Sequence, residues 1–218
     1  KMKFTIASLS FIVFCLTSLV LEAQEHNYGF NVGASSNYVW RGITQSDNNP
    51  SISAGADYSH ESGFYAGTWV STVDYNDDTN AEFDFFSGLQ TKLGDVEIDL
   101  GYIFYGYQGK DDLNFSEAYV SASFSNLSVG VSTLVDSDFG SEFGDTNYIE
   151  AGYEFPLPYE LSLGVHAGYY SIKNATNNKD FGVTLDWKGF SFMVSTLKGD
   201  ESLEDDVVSL SYSHSFEF

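Results

Sequence analysis

The chain has 218 residues with 31 acidic and 9 basic side chains, a formal charge of −22. Such a balance repels nucleic-acid phosphates and excludes a DNA- or RNA-binding role. Aromatic residues reach 17%, while proline is scarce and there is a single cysteine, so the composition excludes an acidic disordered chain and suits pleated strands better than a helical bundle.

The first residues read as a leader. Lys1 and Lys3 precede the apolar run "FTIASLSFIVFCLTSLVL", and Ala23 offers a small residue for cleavage before Gln24. Residues 1–23 are therefore expected to be a signal peptide, the alternative being a transmembrane anchor, and residues 24–218 the exported domain. The one cysteine, Cys15, lies inside the leader, so the exported chain has no thiol or disulfide. Its expected balance is 7 basic against 30 acidic side chains.

From Tyr28 onward, apolar residues recur at every second position. Tyr28, Phe30, Val32 and Ala34 share the first face, then Ile52, Ala54, Ala56 and Tyr58. The third segment, "GFYAGTWVS", has an ambiguous register because Phe64 and Tyr65 compete for the apolar face. Phe83, Phe85 and Leu89 follow, then Val96 through Phe104, Ala118 through Phe124, and Leu127 through Val131. Ile149 through Phe155, Leu161 through Tyr169, Phe181 through Trp187, Phe190 through Thr196 and Leu210 through Phe218 continue the pattern. This predicts twelve strands.

The connections alternate in length. "RGITQSDNNP", "DYNDDTN", "GYQGKDDLN", "DSDFGSEFGDT", "KNATNNK" and "KGDESLED" are long and polar, and the intervening "HESG", "KLGD", "SN", "PLPY" and "KG" are compact turns. An even strand number with short turns at one end and longer loops at the other predicts an all-β, up-and-down antiparallel transmembrane barrel. The short turns would be periplasmic and the longer loops extracellular. A soluble β-sandwich fits less well, because its connections cross between sheets. Tyr28, Trp40, Tyr75, Phe155, Tyr169, Trp187 and Phe190, near the strand ends, are expected to form the aromatic girdles at the two membrane interfaces.

Nine acids fall within the predicted strands, on the face opposite the apolar set: Asp57, Glu82, Asp84, Glu97, Asp99, Glu117, Glu150, Glu154 and Asp186. Charge facing lipid is costly, so these carboxylates are expected to line the lumen. The basic residues, Arg41, Lys92, Lys110, Lys173, Lys179, Lys188 and Lys198, all fall in predicted turns or loops. A wall of acids without cationic partners would favour cations in a pore. Arg41 has two expected arrangements. In one it folds inward to pair with a luminal acid such as Asp57 and forms a constriction; in the other it structures its own loop through Asp47.

The block from Ser35 to Ser71 resembles the opening of the TorF-type porin family, also known as the Gcw_chp outer-membrane proteins of proteobacteria. The likeness rests on Asn37-Tyr38-Val39-Trp40-Arg41-Gly42, Gln45-Ser46-Asp47 and Gly63-Phe64-Tyr65-Ala66-Gly67. It implies an outer-membrane barrel of porin type and brings no substrate or catalytic residue. The ending, with alternating apolar residues up to Phe218, also resembles the terminal signature of Gram-negative barrels, which their assembly machinery reads.

Enzymatic chemistry finds little support. His214 is expected to face outward while Ser213 and Ser215 face inward, which does not build a nucleophile pair. His166 is expected to line the lumen. The acidic loops "DYNDDTN" and "DSDFGSEFGD" lack EF-hand spacing and read as solvated, so no metal or other cofactor is expected. The expected function is a narrow, cation-favouring outer-membrane channel for passive diffusion of small solutes, with outer-membrane lipid and lipopolysaccharide as its surroundings. The alternative is a closed barrel that binds a partner through its acidic loops.

Overall fold

A computed structural model describes residues 26–201 and 205–218. The leader expected at residues 1–23 lies outside the described residues. Twelve antiparallel strands close into one barrel: β1 (His26–Ser35), β4 (Ser51–His60), β5 (Phe64–Thr72), β6 (Ala81–Leu93), β7 (Val96–Gln108), β8 (Phe115–Phe124), β9 (Leu127–Ser137), β10 (Thr146–Leu157), β11 (Leu161–Ile172), β12 (Asn178–Trp187), β13 (Phe190–Lys198) and β14 (Asp206–Glu217). Each strand pairs with its sequence neighbour, and β14 returns to β1, with Phe216 opposite Phe30 and Tyr212 opposite Ala34. Closure leaves no free strand edge, which is what a sheet needs in hydrocarbon.

Outside the twelve, a short hairpin, β2 (Val39–Trp40) and β3 (Ile43–Thr44), lies within the first long connection. The tight connections occupy one end of the barrel. Lys188-Gly189 has φ of 49° and 84°, the left-handed pair that a two-residue hairpin turn favours. All the longer connections gather at the other end.

The period-2 pattern sets the two faces. Phe30, Phe85, Val129, Val183, Val194 and Leu210 all point outward and are roughly half exposed, forming an apolar exterior. The ambiguous third segment resolves in favour of Phe64, which is 44% exposed, while Tyr65 at 4% turns inward. The reason lies across the sheet: Tyr65 pairs with Gly88, and its hydroxyl lies over that glycine, a position a Cβ would fill. Among the described residues, the buried apolar clusters are inside the bore. One holds Tyr65, Phe86, Ile103 and Tyr105, and the other Tyr38, Trp69 and Val73.

Candidate functional site

The bore divides into two levels. From the short-turn end a cavity of about 1000 Å³ runs up to the foot of the hairpin at Asn37, Tyr38 and Val39, with a mouth bordered by Gly63, Lys92, Glu160 and Lys188. Half its wall, from β13 through β14 and β1 to β4, is small and hydroxylated: Ser191, Ser209, Ser211, Ser213, Ser35 and Ser53. Small inward side chains leave room for water, which the alternation places there by putting the bulky residues outside. The opposite wall is aromatic and acidic. Tyr65 donates to Asp99 Oδ1 at 2.7 Å and hydrogen-bonds the Tyr119 hydroxyl, while Gln90 Nε2 donates to Asp99 Oδ2 at 3.4 Å.

The long-loop level is filled by the β2–β3 hairpin. Its turn, Arg41-Gly42, has φ of 49° and 79°, so both central residues occupy the left-handed region. For Arg41 that conformation costs about 1–2 kcal/mol. The arginine is held by what it reaches. Arg41 donates Nη1 to Glu117 Oε1 at 2.8 Å and Nη2 to Glu117 Oε2 at 2.7 Å, with both side chains nearly inaccessible. A two-pronged pair of this kind matches the planar guanidinium to the carboxylate. Arg41 Cζ also lies 4.2 Å from the Trp40 ring centroid and 4.2 Å from that of Tyr148, so the cation is sandwiched between two π faces.

Around this pair the hairpin meets the wall on nearly every side. Tyr38 packs edge-on against Trp69 of β5, and Trp40 meets Tyr105 of β7, Phe115 of β8 and Tyr170 of β11. A Cβ on Gly42 would lie 2.9 Å from Asp180 Cβ of β12 and 3.3 Å from Leu197 Cδ1 of β13. Ser209 Oγ of β14 donates to the Asn37 carbonyl at 2.6 Å. The return limb is tied by Gln45, whose backbone N–H donates to the Tyr38 carbonyl and whose side-chain oxygen accepts from the Tyr75 hydroxyl at 2.6 Å. The hairpin therefore spans the bore.

Beside it runs a second buried polar chain. The Tyr148 hydroxyl lies 3.0 Å from Asp180 Oδ2 and 2.9 Å from His166 Nε2, which is itself 2.9 Å from Asp180 Oδ1. His166 Nδ1 faces Glu150 at 3.9 Å.

Residues 22–198 match the family described as "Bacterial protein of unknown function (Gcw_chp)". The chain belongs to the Gcw_chp family. Among solved structures it is similar to the KdgM porin at 9% identity, with a TM-score of 0.53 and coverage of 88% of this chain and 99% of that one. The KdgM porin in complex with disordered oligogalacturonate matches to the same degree. A membrane protein from a study of in-meso crystallization is similar at 10% identity, with a TM-score of 0.56 and coverage of 88% and 84%. No curated protein sequence matches the chain. At these identities the structural likeness shows the fold alone, a closed antiparallel barrel like that of the KdgM porin.

The Gcw_chp chain departs from several sequence expectations. Arg41 folds inward and pairs with a luminal acid, as one of its two expected arrangements has it, but that acid is Glu117 rather than Asp57, and Asp47 is not its partner. The hairpin carries it across to β8, whereas Asp57 sits on β4 opposite Gly29 and Gly67, and Asp47 is exposed on the returning limb. Trp40 and Tyr75 are not girdle residues: the first long connection carries Trp40 into the bore, and Tyr75, in the connection between β5 and β6, packs against the inner cluster of Tyr38, Trp69 and Val73. The bases are not confined to connections: Lys92, Lys179 and Lys198 lie at strand ends, and Lys92 pairs with luminal Glu97 at 2.6 Å. The nine strand acids all alternate with the outward apolar set but sit in unlike surroundings. Glu82, Asp84 and Glu117 are buried at the hairpin level. Glu97, Asp99, Glu150 and Asp186 border the cavity, and Asp57 and Glu154 are half-buried on the inner face. The alternation read from Phe181 onward leaves Asp180 out of the expected set. Extending it one residue upstream places Asp180 inward.

Proposed function

We propose that this protein is an outer-membrane, porin-like channel for passive diffusion of small solutes, narrow and favouring cations, with the β2–β3 hairpin as its constriction. The observation that carries this reading is the cavity of about 1000 Å³, with serines and carboxylates in its wall, inside a barrel with an apolar exterior. A water-accessible interior behind a lipid-compatible surface is the physical requirement of a pore. Charge supports the ion preference: Glu61, Glu97, Asp99, Glu150, Glu160 and Asp186 border the cavity, against Lys92 and Lys188 near its mouth. Membership of the Gcw_chp family and a fold shared with the KdgM porin support the outer-membrane location.

Planar-bilayer recording of the purified barrel in a salt gradient tests the proposal. Discrete conductance steps with a reversal potential of cationic sign are the expected result. The packed hairpin favours a second reading, a closed barrel that binds a partner through its acidic loops. Absence of both conductance and liposome swelling with neutral and charged sugars would replace the first reading with the second.

A further inference from the structure

Strand β6 carries two acids, Glu82 and Asp84, two positions apart on the inner face, each only 2% exposed. The strand register fixes their surroundings. Glu82 lies opposite Ser71 of β5 and Tyr107 of β7, and Asp84 lies opposite Trp69 and Tyr105. The two carboxyl groups are close enough to interact directly. Glu82 Oε1 accepts a hydrogen bond from the Tyr38 hydroxyl at 3.1 Å, and the Tyr107 hydroxyl also lies against the Glu82 carboxylate. The nearby guanidinium does not serve them, since Arg41 is engaged two-pronged with Glu117. Among the described residues no ion pair includes Glu82 or Asp84.

The set is also short of partners in a specific way. Asp84 Oδ1 and the Tyr105 hydroxyl are both buried without a hydrogen bond, on residues that face each other across β6 and β7. Two adjacent carboxylates removed from water need compensating positive charge. A shared proton would serve the contact between the carboxyls but leave Asp84 Oδ1 and the phenol oxygen unmet. A cation uses such oxygens as ligands. The donors are carboxylate and phenol oxygens, with no sulfur or imidazole, which selects a hard cation, and two carboxylates match a divalent one.

We propose that Glu82 and Asp84, with the Tyr38 and Tyr105 hydroxyls, bind a hard divalent cation of the Ca²⁺ type at the seam between the inward hairpin and the barrel wall. Tyr38 leads into β2, so the ion ties the hairpin to β6 and β7. Water completes the coordination, because no group of three or more His, Cys, Asp or Glu side chains converges among the described residues. Affinity then falls in the weak class of extracellular sites, about 10⁻⁴–10⁻³ M. The site does not depend on whether the barrel conducts.

Terbium titration of the whole folded barrel in detergent tests it, because Tyr38, Tyr105 and Trp69 beside the carboxylates can sensitise Tb³⁺ emission. The expected result is saturable sensitised emission that Ca²⁺ displaces. Emission should be lost in Asp84→Asn and in Glu82→Gln, weakened in Tyr105→Phe, and retained in the loop variant Asp77→Asn/Asp78→Asn. No sensitised emission, emission unchanged in Asp84→Asn, or emission lost only in the loop variant would overturn the proposal. Should the carboxylate variants fail to fold, thermal unfolding of the unaltered barrel decides: Ca²⁺ raises its midpoint if the site exists, and an unmoved midpoint overturns the proposal. Bilayer conductance plays no part in these readouts, so failure here is separate from failure of the channel reading.

Discussion

The two levels of the bore share most of the same strands and the same alternation, yet one holds a cavity and the other a packed interior. At the short-turn level the inward positions of β13, β14, β1 and β4 are largely serine and glycine, and the space between the walls stays open. At the long-loop level the inward positions are Trp69, Tyr105, Phe115, Tyr148 and Tyr170, which surround the hairpin from the first connection. Alternation decides only which face a residue takes. Side-chain volume along the inner face, together with a connection long enough to turn back, decides whether that face meets water or protein.

The largest expected effect separates the levels directly. Arg41→Ala leaves Glu117 buried without its partner, which costs about 3–5 kcal/mol when one member of a buried pair is removed. The hairpin loses its anchor, so single-channel conductance should rise while the twelve-stranded barrel persists, as circular dichroism would show. Arg41→Met combined with Glu117→Leu should recover much of the lost stability, because no orphaned charge remains. Conductance unchanged in Arg41→Ala would show that the hairpin level does not restrict passage.

Next come the two faces of one strand. Leu210 points outward and is 54% exposed, while its neighbour Ser211 borders the cavity. Leu210→Arg should destabilise the barrel by about 2–4 kcal/mol in lipid-bilayer unfolding. Ser211→Arg should leave stability nearly unchanged and instead reduce cation preference. Equal stability losses would break the assignment of faces. A smaller effect is expected from Asp99→Asn with Asp186→Asn. Both acids border the cavity, so the reversal potential should move toward zero while heat-modifiable migration on gels is retained.

The smallest effects belong to the exposed loops. The Thr79 backbone N–H, donating to Asp77 at 2.8 Å, holds that carboxyl below the usual carboxylate range, with Lys110 adding to it. At Asp145 the leading cause is Lys173, at 2.7 Å, followed by the Glu142 backbone N–H. Carboxyls depressed in the folded state contribute loop order above their ordinary value and lose it as pH falls through the depressed one. The partners Lys110 and Lys173 are raised by Asp77 and Asp145, so their contribution persists at neutral pH and fades only as alkaline pH passes the raised values. Limited proteolysis should therefore find these loops protected at neutral pH and cut more readily in acid, with the strands intact throughout.

Particular residues show how far the sequence could be read. The alternation at Phe181, Val183, Leu185 and Trp187 marks the outward face of β12 but leaves out Asp180, one residue before it, which anchors the Tyr148–His166 chain. Phe64 and Tyr65 could not be ordered by periodicity, because both are large and aromatic; Gly88 across the sheet settled it by leaving space under Tyr65. The motif Asn37-Tyr38-Val39-Trp40-Arg41-Gly42, which carried the family resemblance, read as a strand top and an exposed loop. In the fold it is the hairpin that fills the bore.

The sequence by itself determined the strands, their even number, the alternation of tight turns and long loops, and, apart from Phe64, Tyr65, Trp40 and Tyr75, which side chains meet an apolar exterior. These are local properties, set by a two-residue period and by turn chemistry. Only the tertiary structure decided that Arg41 meets Glu117, that Glu82 and Asp84 are sealed beside Tyr38 and Tyr105, and that one level of the bore is open while the other is packed. Those outcomes join residues many tens of positions apart. They depend on barrel closure bringing distant strands to face one another around a single inward loop, which no local pattern records.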